Sequence, residues 1–156
     1  ATYPSEALRA QRLQVGAFDA SGTYAGISTE VVRYRDAAAA KQAIGEVLRA
    51  AKACPQGKVV NTGDGHKIVF TLHPAPGPSA TPLVAADSRV IIHVTMRVDG
   101  NPQSAFLVYQ ADGSMFAGMY ASDASGKPFP QSDLDSMYEL AGNIADRLRA
   151  YNQVSA

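Results

Sequence analysis

The sequence has a single cysteine, Cys54, among 156 residues, so no internal disulfide can form. A chain of this length buries a sizeable core without staples, and an exported domain of this size can fold without bridges, so the lone thiol does not decide the compartment. Net charge is also missing: fourteen basic and fourteen acidic residues cancel. That argues against nucleic-acid binding, which needs a basic surface to displace counterions, and against a polybasic membrane patch. No apolar run approaches the ~18 residues of a membrane-spanning helix. The first residue is alanine, with no n-region or h-region of a signal peptide after it. A trimmed leader would leave no trace, so export stays compatible with the sequence.

Motifs that announce chemistry are absent as well. His66, His73 and His93 are the three histidines. There is no C-x-x-C, H-x-x-x-H or H-E-x-x-H among them, so neither a metal site nor a cofactor is expected. There is no G-x-S-x-G elbow and no P-loop. Ser122 and Asp123 sit in "SDASGKP", where both are ordinary turn formers, and Asp133 and Asp135 suit helix capping better than acid–base work. No catalytic residue is assigned.

What is present is regular. Residues 4–13, "PSEALRAQRL", read as a short helix, and 1–22 as a whole as a poorly defined helix and turn segment. Residues 23–34 read as a strand rich in β-branched and aromatic side chains. "DAAAAKQAIGEVLRAAKACP" follows: Asp36 as N-cap, an apolar stripe through Ala40, Ala43, Ile44, Val47, Leu48 and Ala51, and Pro55 as the stop, giving a helix over 37–53. Cys54 continues that stripe and is expected to be a buried or nearly buried, inert thiol.

The middle is β, with strands over 66–73, 89–98, 104–110 and 114–122 punctuated by Asp64-Gly65, Asp99-Gly100 and Asp112-Gly113. Residues 74–88 carry four prolines and read as a mobile loop at the sheet edge. Ser132 opens a last helix over 132–151 with a stripe from Leu134 to Tyr151. The expected fold is a single α+β domain over 1–156, an antiparallel meander of four to six strands with both long helices packed on one face.

Alternation along 89–98 puts Val90, Ile92, Val94, Met96 and Val98 on one side and His93, Thr95 and Arg97 on the other. His73 shares the polar parity of its own strand and could meet His93. Tyr109 and Tyr120 lie on neighbouring strands, their facing open. His93, Thr95, Arg97, Tyr109, Tyr120 and His73 are the candidate ligand-binding set, on a face turned away from the helices.

The unit "VVRYRDAAAAKQAIGEVLRAAKACP", the meander after it and the terminal "DLDSMYELAGNIADRLRAYN" resemble the extracellular sensor-domain family. Its members occur at the outer end of a mycobacterial receptor serine/threonine kinase and in actinobacterial lipoproteins. The resemblance spans 24–151 and implies an exported domain, tethered by a lipid or a transmembrane helix, with a ligand cleft over the sheet. Kinase-tethered members are stapled by disulfides, which Cys54 alone cannot supply, so the resemblance favours a lipoprotein-type relative. No kinase motif is present. The function read from the sequence is a non-catalytic, cell-envelope ligand-binding or sensing domain. Its partner would be a small envelope ligand or surface partner, with a possible lipid anchor upstream. The alternative is a hydrolase-like enzyme whose site is dispersed.

Overall fold

The computed structural model describes residues 6–15, 25–73 and 88–155. The proline-rich segment expected to be a mobile edge loop falls almost wholly outside these residues. Nine elements are described: β1 (Glu6–Val15), β2 (Ala25–Tyr34), α1 (Ala37–Ala53), β3 (Val59–Asn61), β4 (Lys67–His73), β5 (Ser88–Val98), β6 (Asn101–Asp112), β7 (Met115–Asp123) and α2 (Gln131–Ser155). The strands form a seven-stranded sheet in the order β1-β2-β7-β6-β5-β4-β3, every neighbouring pair antiparallel. The expected α+β class and meander are thus present, with more strands than the four to six counted from the sequence.

The turn chemistry works as the dipeptides suggest. β5 and β6 close at Val98↔Asn101 around Asp99 (φ 51°) and Gly100 (φ 86°). Both residues hold the left-handed conformation that a two-residue hairpin of the right twist needs. β6 and β7 close at Asp112↔Met115, with Gly113 at φ 53°. In α1, Asp36 Oδ1 accepts the Ala39 amide at 2.7 Å, the cap its position predicts. α2 begins one residue before expectation: the Pro130 carbonyl, not Ser132, accepts the first amides, from Asp133 and Leu134.

Three expectations fail. Residues 6–13 are strand, not helix. β1 pairs with β2 from Glu6↔Tyr34 to Val15↔Gly26, and a partner along the whole outer edge of β2 outweighs the helical preference of "EALRAQRL". Cys54 does not continue the buried stripe. It is the C-cap, with ψ 123° outside the helical range, and is half-buried.

The third correction concerns layers. α1 packs its Ala39, Ala40, Ala43 and Ile44 with Val32, Tyr34, Val90 and Phe116. α2 packs Leu134, Met137, Tyr138 and Ala141 with Phe106, Val108, Met119 and Ala121, and Leu148 with Met115 and Ala117. Val90 and Ile92 belong to the first cluster and Ile91 to the second; Phe116 belongs to the first and Ala117 to the second. Neighbours along a strand point to opposite sides, so the helices lie on opposite faces rather than together on one. The reason lies in the central strands. β7 is buried at every position from Met115 to Met119, and β6 from Ser104 to Phe106. A strand buried on both sides needs a cover on each.

If two separate cores hold the sheet, emptying either should cost a full cavity penalty. Phe106→Ala, at a fully buried site against the Tyr138 ring, is expected to lose ~3–5 kcal/mol in urea unfolding. Val32→Ala on the α1 side is expected to lose roughly 1–3 kcal/mol. A near-zero loss at Val32 would contradict the two-sided arrangement.

Candidate ligand-binding surface and its histidine pair

α2 lies over β6 and β7, and α1 over β2, β5, β6 and β7. On the α2 side this leaves the outer strands β4 and β5 as an open strip. Their register sets three cross-strand rows there: Val69↔Arg97, Thr71↔Thr95 and His73↔His93. Thr71, His73 and Arg97 are exposed and Thr95 is half-buried. Arg97 donates one guanidinium N–H to the Gly100 carbonyl at 3.2 Å. His73 Nε2 and Thr95 Oγ1 are 2.8 Å apart, a diagonal contact between the strands. The expected parity holds, but of the row only Arg97, with His73 on the neighbouring strand, is exposed. The row is not on a helix-free face, since neither face is free; it is the part of the α2 face that α2 does not reach.

His93 departs from the expectation. It is only 8% exposed. Three rings surround its imidazole: His73 at 5.3 Å between centroids, Phe106 at 6.3 Å and Phe129 at 6.5 Å. Phe129 comes from the stretch that leads into α2, distant in sequence, which is why alternation alone could not foresee the burial. His93 Nε2 is buried with no hydrogen-bond partner among the described residues, a condition that costs ~1–3 kcal/mol. Burial, with a smaller contribution from His73, pushes its pKa down, so the ring is neutral at pH 7.

Tyr109 and Tyr120 face the other way. Tyr109 packs against the α1 cluster and sits opposite Gly118, which is also opposite Glu30. The two tyrosine rings meet edge to face at 5.5 Å, and the Tyr120 hydroxyl donates to Glu30 Oε1. Burial, then that hydrogen bond, raises the Tyr120 pKa far above its ordinary value. Gly118 makes the arrangement possible: a Cβ there would stand 2.5 Å from the Tyr120 oxygen and 3.0 Å from Glu30 Oε1. Glu30, at 8% exposure, was missed from the sequence. The available signal was an isolated acid inside "STEVVRY" and a glycine inside a strand, which often marks a close approach.

Beside the C-terminal half of α1 lies a groove of about 380 Å³, with Leu48, Ala51, Leu72 and Ile92 among its apolar lining and Lys52 and Gln56 also on it. Gln56 Oε1 accepts the Leu72 amide at 3.1 Å and so closes the free edge of β4 there. Among the described residues no group of three or more histidine, cysteine or acidic side chains converges. No helix there is long and apolar enough to cross a membrane.

No known family model matches the sequence, and no curated protein matches it. Among solved structures, the extracellular domain of PknH from Mycobacterium tuberculosis is similar, with a TM-score of 0.57 at 10% identity. The match covers 94% of this chain and 66% of that one, so the chain spans just under two thirds of that domain. At this identity the likeness is one of fold alone.

The histidines supply a pH test with opposite signs. His93, its pKa lowered by burial, contributes stability that is present above the ordinary histidine value of about 6.5 and is lost as pH falls through its folded value. His66 is raised by Asp99, whose carboxylate lies 2.6 Å from Nδ1; its contribution is present below about 6.5 and is lost as pH rises through its folded value. Because His66 is exposed, its share is small. Ring-proton NMR titration is expected to place His93 below and His66 above the ordinary value. A His93 midpoint at or above it would contradict the burial described. Gly118→Ala is a separate check on the Glu30–Tyr120 contact, expected to cost roughly 1–3 kcal/mol in thermal or urea unfolding.

Proposed function

We propose that this chain is an exported, cell-envelope-associated domain that binds or senses a ligand without transforming it, and that the ligand lies along the open strip of β4 and β5. One observation carries the reading: Arg97, Thr95 and His73 stand at the surface of one rigid, fully paired strand pair, in register. A sheet holds such groups at fixed spacing, so binding does not have to order them first. The fold likeness to an extracellular domain, over nearly the whole chain, supports the compartment. The single cysteine favours a lipoprotein-type tether over the disulfide-stapled, kinase-linked form.

In this reading Arg97 engages an anionic or hydroxyl-rich group, since a guanidinium offers several N–H donors in a fixed plane. Thr95 and His73 donate or accept beside it, and His93 forms the wall behind them. A sugar, a cell-wall fragment or a lipid head group carries the matching chemistry. Tyr109 and Tyr120 fall outside this site, because they belong to the opposite face.

The test uses the doubly substituted Arg97→Ala/His73→Ala chain. Both positions are exposed, so the fold should survive. Native mass spectrometry of wild type against fractionated cell-envelope extract is expected to reveal a bound species whose affinity drops about tenfold or more in the variant, the loss of one charge-assisted contact. Equal binding by both chains would remove this strip from consideration.

A further inference from the structure

His73 and His93 are not only on one strip; they are directly opposed partners across two antiparallel strands. Side chains so placed have Cβ atoms about 4.5–5.5 Å apart, near enough for one small ion to touch both rings. Their ring centroids lie 5.3 Å apart at an interplanar angle of 47°. The contact with Thr95 Oγ1 engages His73 Nε2 and leaves Nδ1 as the other ring nitrogen. In the tautomer whose Nε2–H donates to Thr95 Oγ1, the His73 lone pair is on Nδ1. A hydroxyl or carbonyl on the far nitrogen is the support that metal-bound imidazoles receive in general.

His93 supplies the second, independent observation. It is more than nine-tenths buried, and its Nε2 has no hydrogen-bond partner among the described residues. Phe106 and Phe129 offer it only carbon rings; of the three rings around it, only that of His73 carries nitrogen. In the tautomer that carries its proton on Nδ1, this buried Nε2 offers a lone pair that nothing among the described residues uses.

We propose that His73 and His93 form a two-histidine chelate for a divalent transition-metal ion of the zinc, nickel or copper type, His73 binding through Nδ1 and His93 through Nε2. Imidazole nitrogen suits these ions, whereas calcium and magnesium want oxygen. Among the described residues no third histidine, cysteine or acid joins the pair. Water therefore completes the coordination on the exposed His73 side, and the ion is exchangeable rather than a closed structural site. The exposed Arg97 lies two rows further along the same strip and donates to the Gly100 carbonyl at the hairpin end, outside the chelate. The chelate stands on its own geometry and does not depend on the envelope-ligand reading.

Calorimetric titration of the chelator-treated full chain with zinc(II) or nickel(II), followed by histidine-ring NMR, tests it. The expected result is saturable binding of one ion per chain that shifts the His73 and His93 rings and leaves His66 unmoved. Affinity should fall about tenfold or more in His73→Ala and in His73→Asn, substitutions at an exposed position, each checked for an unchanged melt. Arg97→Ala, which weakens the envelope ligand, and Cys54→Ser should both keep the ion, so this site and that reading can fail separately. Absence of saturable binding up to millimolar metal, or equal affinity in the His73 variants, overturns the chelate.

Discussion

Burial of the central strands on both sides is the constraint on which the rest of this structure depends. β6 and β7 carry Phe106, Val108, Met119 and Ala121 toward one helix and Ala111 and Phe116 toward the other. Exposing either set would leave apolar area in water at ~25 cal/mol per Å², so the chain must place one helix on each face. Topology makes this possible. α1 joins β2, near one side of the sheet, to β3 at the opposite edge, and so crosses one face. α2 follows β7, in the interior of the sheet, and folds back over the other.

Two helices cannot cover seven strands on both faces, so part of each face lies outside the helix footprints. The apolar stripe of α1 is buried through Ile44, but Leu48 is already 41% exposed. That lift at its C-terminal end creates the groove beside Leu72 and Ile92. On the other face α2 stays over β6 and β7, and the strip of β4 and β5 remains open to one side of it. Both spaces are consequences of helix footprint rather than of loops, so they are held by paired backbone.

Much of this was legible in the sequence, and the failures share a cause. Helix α1 with its Asp36 cap, the turn glycines and the parity of β5 are local properties, fixed by spacing and φ. The shared parity of His73 and His93 was correctly legible too, as was the exposure of Arg97. What could not be read depended on partners far along the chain. β1 is a strand because β2 offers it an edge; His93 is buried because Phe129 arrives from the approach to α2; Tyr109 and Tyr120 point to the α1 face through a register no single strand reveals. The two-sided cover did leave a signal. "AFLV" and "MFAGM" are continuous runs without a polar side chain, where a sheet with one wet face would alternate.

Polar accounting separates structure from function more sharply than burial does. Gln110 is almost fully enclosed, yet its Nε2 donates to the Ala141 carbonyl at 2.7 Å and its Oε1 accepts from Arg89 at 3.1 Å. One amide thus ties β6 to the middle of α2 and to β5. Ser104, with no exposed surface, donates to the Lys127 carbonyl at 2.8 Å and anchors the approach to α2. Glu30 accepts from Tyr120 in the space that Gly118 leaves. Each of these groups, taken out of water, has been given a partner that also fixes an element in place. His93 receives neither benefit. Its ring packs among those of His73, Phe106 and Phe129, and its Nε2 has no hydrogen-bond partner among the described residues. His93 stands directly opposite the exposed His73 on the strip that the helices leave open.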